Sequence, residues 1–388
     1  MTAPPVLAIR RVDAIPVALP LKKPVRMADA ATVEKAENLL VRIEAADGTV
    51  GWGEAASAPT MTGDTLGGLV AAVRHLTPLL VGQDALSRPR LTVRLRAALL
   101  GNTGAHSAIE MALLDLAGRA TGLPLADMIG AEWRDTGQPL GDVIGGGPRR
   151  KAVAPMWLIG NATPDQDVAE AEARLREGFR FFKLKVAVKL LDEDIAATRA
   201  VRAAIGPDIP LCADANCGFA PDAARRYLEG TRDARLLFLE QPLAPEALDG
   251  LAALTRALPV PIGADEAIHS FADIETHAKL GVGGLSLKLI KLGGFWRTLA
   301  AALLCEDLGL KVNVAAKIAE SSIGTAAAVH LACAVPSIDW GVSLTHFYLA
   351  EDVVKSPLTL GDGIVPVPPG PGLGIDVDEG RVARFQVA

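Results

Sequence analysis

Three carboxylates stand out by their spacing: Asp214 and Glu240 are 26 positions apart, and Glu240 and Asp265 are 25. Each closes a short apolar run, IPLCAD, LLFLE and VPIGAD, of the kind that forms a strand buried on both faces. Charged groups that end such strands collect at one rim of a parallel sheet. Three carboxylates there would repel one another unless a hard divalent cation shared their charge. Oxygen donors alone favour Mg2+ or Mn2+ over zinc. Lysines accompany the acids. Lys183 and Lys185 end the run FFKLK, and their two-residue spacing puts both on one strand face. Lys288 ends LSLK four strands further on and faces them across the site. Ammonium groups close to each other and to a cation lower one another's pKa, which makes one of them a credible general base near neutrality. Lys291, three positions beyond Lys288, points elsewhere if the strand continues, and reads as a supporting group. Asn216 and Glu266, beside two of the acids, read the same way.

The elements that must position these groups follow a rhythm. From about residue 152, eight β runs (APMWLIG, FFKLKV, IPLCADAN, LLFLEQP, VPIGADE, LSLKLIK, KVNVAA, SIDWGVSL) alternate with helical stretches. That alternation predicts a parallel sheet, and eight such units favour a closed barrel, whose strand C-termini carry the chemistry. A doubly wound sheet is the alternative, but no G-x-G-x-x-G follows the first strand. Upstream, residues 6–19 and 38–55 alternate as strands, with Asp47-Gly48 predicting a two-residue hairpin. The segments TLGGLVAAVRHLTPLL, PRLTVRLRAALL and HSAIEMALLDLAGRATG carry helical periodicity, stopped by Gly122 and Pro124. The Pro- and Gly-rich tail is expected to leave the barrel and return to the N-terminal unit. The domain reading is therefore 1–130, an N-terminal α+β unit; 131–360, the barrel; and 361–388, the returning segment.

Composition narrows the partners. Half the residues are hydrophobic, 22% are charged and the net charge is -6, a globular profile with no basic footprint for nucleic acid or an anionic membrane. No apolar run is long enough for a membrane span. Cys212, Cys217, Cys305 and Cys333 lack metal-knuckle or disulfide spacing and read as reduced, packed residues. A cytoplasmic homo-oligomer with a small-molecule partner is the expectation.

Taken together, the motifs resemble the muconate lactonizing enzyme subgroup of the enolase superfamily, over essentially the whole chain. Lys183-Leu184-Lys185 resembles its K-x-K, Asp214-Ala215-Asn216 its D-x-N, Glu240-Gln241-Pro242 its E-Q-P and Asp265-Glu266 its D-E pair. Lys288 to Lys291 with Gly293-Gly294 resembles its K-x-x-K-x-G-G. The resemblance implies a (β/α)7β TIM-like barrel under an α+β capping domain, with Asp214, Glu240 and Asp265 as metal ligands. It also implies Lys185 and Lys288 as the acid/base pair, with Lys183 assisting Lys185. Its chemistry is proton transfer at the carbon beside a substrate carboxylate, with Mg2+ or Mn2+ stabilising the enolate. The mandelate racemase subgroup would place a histidine after strand seven, where KVNVAAKIAE has none.

ESSIGTAAAVHLA, IDWGVSL and PGPGLG look most like muconate cycloisomerases, which implies lactonization of a muconate-type dicarboxylate. Two departures mark this chain. Ser343, in Trp340-Gly341-Val342-Ser343, stands where those enzymes carry a glutamate, and Lys317 follows strand seven where a neutral residue is expected. Racemases or epimerases of N-acylamino acids or dipeptides are the alternative, as are o-succinylbenzoate synthase-like dehydratases. The D-x-D that dipeptide epimerases carry at strand eight is not matched by Asp339-Trp340-Gly341. A non-catalytic binder of an acidic metabolite is the further alternative, against which Lys185 and Lys288 argue. Substrate contacts are expected from Lys317, His346, Glu320 and Ser343. The remaining histidines, His75, His106, His269, His277 and His330, read as structural. Loops around Lys22 to Thr32 and Ser57 to Thr65 are expected to close over the mouth.

Overall fold

Alternating residues at the start of the chain form an antiparallel meander of β1 (Ile9–Arg26), β2 (Thr32–Ala45) and β3 (Val50–Ala56). The computed structural model describes residues 7–26, 32–128, 148–160 and 163–388. The turn between β2 and β3 is not the expected two-residue hairpin. Ala45 N–H bonds Thr49 O at 2.9 Å, so three residues close the loop. Gly48 there takes a φ of +88°, and Asp47 Oδ1 accepts the Thr49 amide. β1 also runs seven residues beyond the expected end, pairing Val25 with Val33 after a register shift. The segment read as a capping loop from Lys22 is therefore strand up to Arg26, and its residues 27–31 lie outside the described residues.

Three helices cover this sheet: α1 (Leu66–Leu76), α2 (Arg88–Ala98) and α3 (Thr103–Thr121). Thr65 caps α1 by accepting the Gly68 amide. α3 is buried from Gly104 to Gly118 because it lies directly on β3. A Cβ at Gly51 or Gly53 would collide with the carbonyl oxygens of Ala112 and Ala108, so glycine alone permits that approach.

The second unit is a closed barrel of eight parallel strands. They are β5 (Pro155–Ile159), β6 (Phe182–Lys185), β7 (Leu211–Asp214), β8 (Leu239–Glu240), β9 (Ile262–Ala264), β10 (Gly284–Leu287), β11 (Lys311–Ala315) and β12 (Val342–Ser343). Val342 beside Pro155 closes the ring. Between successive strands run α4 (Pro164–Arg176), α5 (Leu191–Ile205), α6 (Pro221–Gly230), α7 (Leu248–Ala257), α8 (Phe271–Lys279), the short α9 (Leu289–Leu292) with α10 (Phe295–Asp307), and α11 (Ser322–Ala334). Only a 3-10 turn, His346–Tyr348, follows β12, which gives the (β/α)7β form. Trp340 stacks on Phe238 at 4.0 Å and packs with Met156, Phe181 and Cys212, a cluster set toward the strand N-termini, away from the mouth. β4 (Ala152–Val153) pairs with β13 (Val365–Pro366).

The tail returns to the first unit. Leu125 N–H donates to Gly372 O and Gly372 N–H to Leu123 O, Leu373 N–H is accepted by Asp115 at 2.8 Å, and Val387 N–H bonds Pro16 O after α12 (Glu379–Phe385). The boundary expected at residues 130 and 131 lies outside the described residues.

Candidate active site

The strand alternation that buries Phe182 and Leu184 in the wall of β6 turns Lys183 and Lys185 inward, at 5% and 7% exposure. Lys185 Nζ donates to Asp214 Oδ2 at 2.7 Å and to Asn216 Oδ1, while Lys183 pairs with Glu240. Asp214 ends β7 opposite Glu240 at the end of β8, and Glu240 in turn sits beside Gly263 of β9, two residues before Asp265. The acids thus stand at the ends of three neighbouring strands. Lys288 follows β10 and donates to Asp265 Oδ2.

Lys291 departs from expectation. The chain does not continue as a strand but turns helical at Leu289, so a residue three positions on returns to the same side. Lys291 Nζ meets Asp265 Oδ1 at 2.5 Å, as well as the Asp265 and Ser286 carbonyls. It holds Asp265 from behind while Lys288 holds it from the front.

Lys183 and Lys288 do not show the expected lowering. Burial pulls the Lys183 and Lys288 ammoniums down, but Glu240 and Asp265 outweigh it and hold both above the ordinary lysine range. For Lys291 burial wins, and its pKa lies below the ordinary value. Burial raises the Asp214 and Asp265 carboxyls, yet their lysine partners hold both below the usual range. Glu240 is pushed up by burial and by the two other acids. Glu266 is pushed up to about 7 by burial and by Asp265 and Asp214; its Oε1 accepts from Asn216 at 2.8 Å, and its Oε2 is buried without a hydrogen-bond partner.

These observations bear on whether a cation fits. Among the described residues no three acidic, histidine or cysteine side chains converge as a ready-made ion cage, because each of the three carboxylates is drawn to a lysine. The donor chemistry nevertheless fits a hard divalent ion: oxygen donors on adjacent strands, mutually repelling, with one buried oxygen of Glu266 left over.

Three polar residues with no expected role support this cluster. Gln241 Oε1 accepts the amides of Asp265 and Ala267, fixing the turn that carries Asp265. Ser286 donates to Glu240 Oε1 at 2.6 Å, and Asn313 donates to Ser286 in turn. Ser286 and Asn313 interrupt otherwise apolar strand runs, and that interruption is the sequence signal that could have found them.

A cleft opens over the strand ends. Its wall from β6 to β10 includes Lys183, Lys185, Asp214, Asn216, Asp265 and Lys288. The opposite wall, from β11, β12 and β5, is mostly apolar, with Met156, Leu158, Ile318 and Leu344, joined from the cap by Val25 and Met61. The segment Ser57 to Thr65 therefore does reach the mouth, through Met61.

Of the four expected substrate contacts, Lys317 and Ser343 line the cleft. Glu320 lies beneath it: Oε1 accepts the Lys317 amide at 2.9 Å, and burial beside Glu54 pushes its carboxyl up to about 8. His346 is not among the lining residues. The 3-10 turn rotates its ring into the protein, where Nε2 meets Leu358 O at 2.8 Å and the ring packs on Phe347, and it presents Thr345 and Tyr348 to the cleft instead.

A capped barrel with inward lysines and carboxylates at its mouth gathers the groups that acid/base chemistry needs. Residues 9–130 match the family model for the mandelate racemase / muconate lactonizing enzyme N-terminal domain, and residues 166–381 match the enolase C-terminal domain-like model. The L-Ala-D/L-Glu epimerase of Bacillus subtilis (strain 168) is 31% identical, covering 95% of this chain and 97% of its own. Muconate cycloisomerase 1 of Pseudomonas putida is 30% identical, covering 97% and 98%. The crystal structure of the muconate lactonizing enzyme from Pseudomonas fluorescens complexed with muconolactone superposes with a TM-score of 0.90 at 30% identity, covering 99% of this chain and 100% of that one. The chain belongs to the mandelate racemase / muconate lactonizing enzyme family and is an isomerase of the enolase superfamily. Members of that superfamily use a divalent metal ion. Among the described residues no helix is long and apolar enough to cross a membrane.

Proposed function

We propose that this isomerase forms a lactone from a muconate-type dicarboxylate, with Lys185 and Lys288 addressing opposite faces of the reacting carbon. The observation that carries the proposal is topological: β6 and β10 are four strands apart in an eight-stranded ring, and both lysines open on one cleft. In the forward direction one substrate carboxylate oxygen adds to the double bond conjugated with the other carboxylate. The displaced electron pair moves to the carbon beside that second carboxylate, and a lysine ammonium delivers its proton there. Asp214, Glu240 and Asp265 would hold Mg2+ or Mn2+, which when bound supplies charge compensation for the acids and electrostatic stabilisation of the reacting carboxylate. Lys183, paired with Glu240, fixes that acid and raises the positive potential at Lys185. Asn216, Glu266 and Lys291 orient the acids; the unit 1–130 contributes selectivity through Val25 and Met61, and the barrel, 131–360, contributes the chemistry.

The two opposed lysines also support a second reading, racemization or epimerization, in which one takes a proton and the other returns it. Four unpaired cysteines support a reducing, cytoplasmic setting, and the exposed Val93 and Leu100 beside α2 support association of copies. The test is incubation with cis,cis-muconate and Mg2+ or Mn2+, following loss of diene absorbance. Lactone formation is expected. An inert diene together with loss of optical activity from N-acylamino acids would replace the first reading by the second.

A further inference from the structure

The two walls of the cleft differ in charge, and one residue breaks the pattern. Among the described lining residues, those from β11, β12, β5 and the cap are uncharged except Lys317. Its place in the barrel is informative. β11 lies four strands from β7 in the ring, so Lys317 stands across the mouth from Asp214 and its partner Lys185. Lys317 lies two residues beyond the end of β11 and lines the cleft together with its neighbours Ala315, Ala316 and Ile318.

The backbone that carries Lys317 is held on several sides. Its amide is accepted by Glu320, and its carbonyl accepts the Thr345 hydroxyl at 2.6 Å. The cap grips the same loop: Asn38 Nδ2 donates to Ala319 O at 3.0 Å, and Glu54 Oε1 accepts the Ser321 amide at 2.8 Å. A cation projected from a fixed backbone loses little entropy on meeting an anion. The lining carboxylates Asp214 and Asp265 are already engaged by Lys185, Lys288 and Lys291, so among the described lining residues there is no spare acid to receive a substrate ammonium. Between the two charged ends lie Met156, Leu158 and Ile318, a stretch suited to hydrocarbon.

We infer that Lys317 is a specificity-determining residue: it binds a second carboxylate at the far end of the substrate, so that the cleft selects acids with two anionic ends joined by an apolar segment. This deepens the proposed function and rests on its placement of the reacting carboxylate at the lysine and acid wall. It also disfavours substrates that carry a free ammonium group.

The test needs no turnover. Calorimetric titration in Mg2+ buffer compares adipate, with two carboxylates, against hexanoate, with one on the same six-carbon chain. A hydrogen bond to a charged partner is worth enough that the native protein should bind adipate about tenfold or more tightly than hexanoate. Lys317→Met should bring the two within about threefold without weakening hexanoate, and Lys317→Arg, which keeps the charge, should retain most of the preference. In the native protein the preference should also shrink as salt is raised, a readout that does not depend on any variant folding. Equal binding of the two acids by the native protein, or a preference that survives Lys317→Met, would overturn the inference. If muconate is inert but the preference is present and lost with Lys317, the inference stands and the lactonization reading falls. If lactone forms without any preference, the reverse holds.

Discussion

From β6 round to β10 each strand of the barrel ends in a charged side chain, Lys185, Asp214, Glu240, Asp265 and Lys288 in turn, tied together by ion pairs. The three remaining strands, β11, β12 and β5, end at Ala315, Ser343 and Ile159. The first arc concentrates charge in a buried setting, where each group shifts the ionization of its neighbours. The second arc holds almost none. The difference assigns chemistry to one arc and shape to the other, with Lys317 as the exception that reads the substrate's distal end. One barrel can then keep its acid/base arc while the opposite arc varies with the substrate.

The sharpest way to break this division is to neutralise the charged arc. Asp265→Asn should lower kcat/KM by about 10³-fold or more and abolish the response to Mg2+, as removal of metal by a chelator should in the native enzyme. Glu266→Gln should weaken metal binding less, by about 10- to 100-fold, because Glu266 acts through Asn216 and the neighbouring acids. Metal titrations of both variants check the order, and a reversed order would move Glu266 into the ion's coordination shell. Shortening the apolar arc should do something different. Leu158→Ala is expected to raise KM about tenfold with kcat within about threefold, since it removes contact made equally in the ground and transition states. A fall in kcat as large as the rise in KM would erase the distinction between the arcs.

A smaller effect concerns the frame beneath the apolar arc. The Glu320 carboxyl is raised to about 8 chiefly by burial, and Glu54 beside it to about 7. A folded-state pKa above the unfolded one means that the folded protein holds the extra proton. The stabilisation is full below pH ~4.3 and is lost as pH rises through the folded value, with a slope of at most about 1.4 kcal/mol per pH unit for each group. Melting temperature should therefore fall between about pH 5 and 8, and Glu320→Gln should flatten part of that fall. An unchanged slope in the variant would remove Glu320 as its source.

The charged arc was legible in the sequence and the apolar arc was not, for one physical reason. A lysine or aspartate at the end of a Val-, Ile- and Leu-rich run has no packing role, so its type and its spacing of one βα unit announce a site. Met156, Leu158 and Ile318 have the composition of core residues, and only closure of the ring puts them on a cleft wall. Lys291 was misplaced because helix onset at Leu289 could not be separated from a continuing strand in LSLKLIK. His346 was misplaced because three residues of 3-10 turn decide which of Thr345, His346 and Tyr348 faces inward. The β2–β3 hairpin was recognised through Asp47-Gly48, but loop length depends on which backbone bond closes it, and that bond is Ala45 to Thr49.

The central claim, that Lys185 and Lys288 serve opposite faces of one carbon, is tested most directly by stereospecific hydrogen exchange. The native enzyme, Lys185→Arg and Lys288→Arg would each be incubated with lactone product and Mg2+ in D2O, and deuterium beside the carboxylate followed by NMR. Arginine preserves the charge but stays protonated, so it cannot act as the base. For a cycloisomerase, native enzyme should label a single face, Lys185→Arg should lose labelling by roughly 10²- to 10⁴-fold, and Lys288→Arg should keep labelling on the same face. Near-native exchange in both single variants would contradict the account, because neither lysine would then be the base.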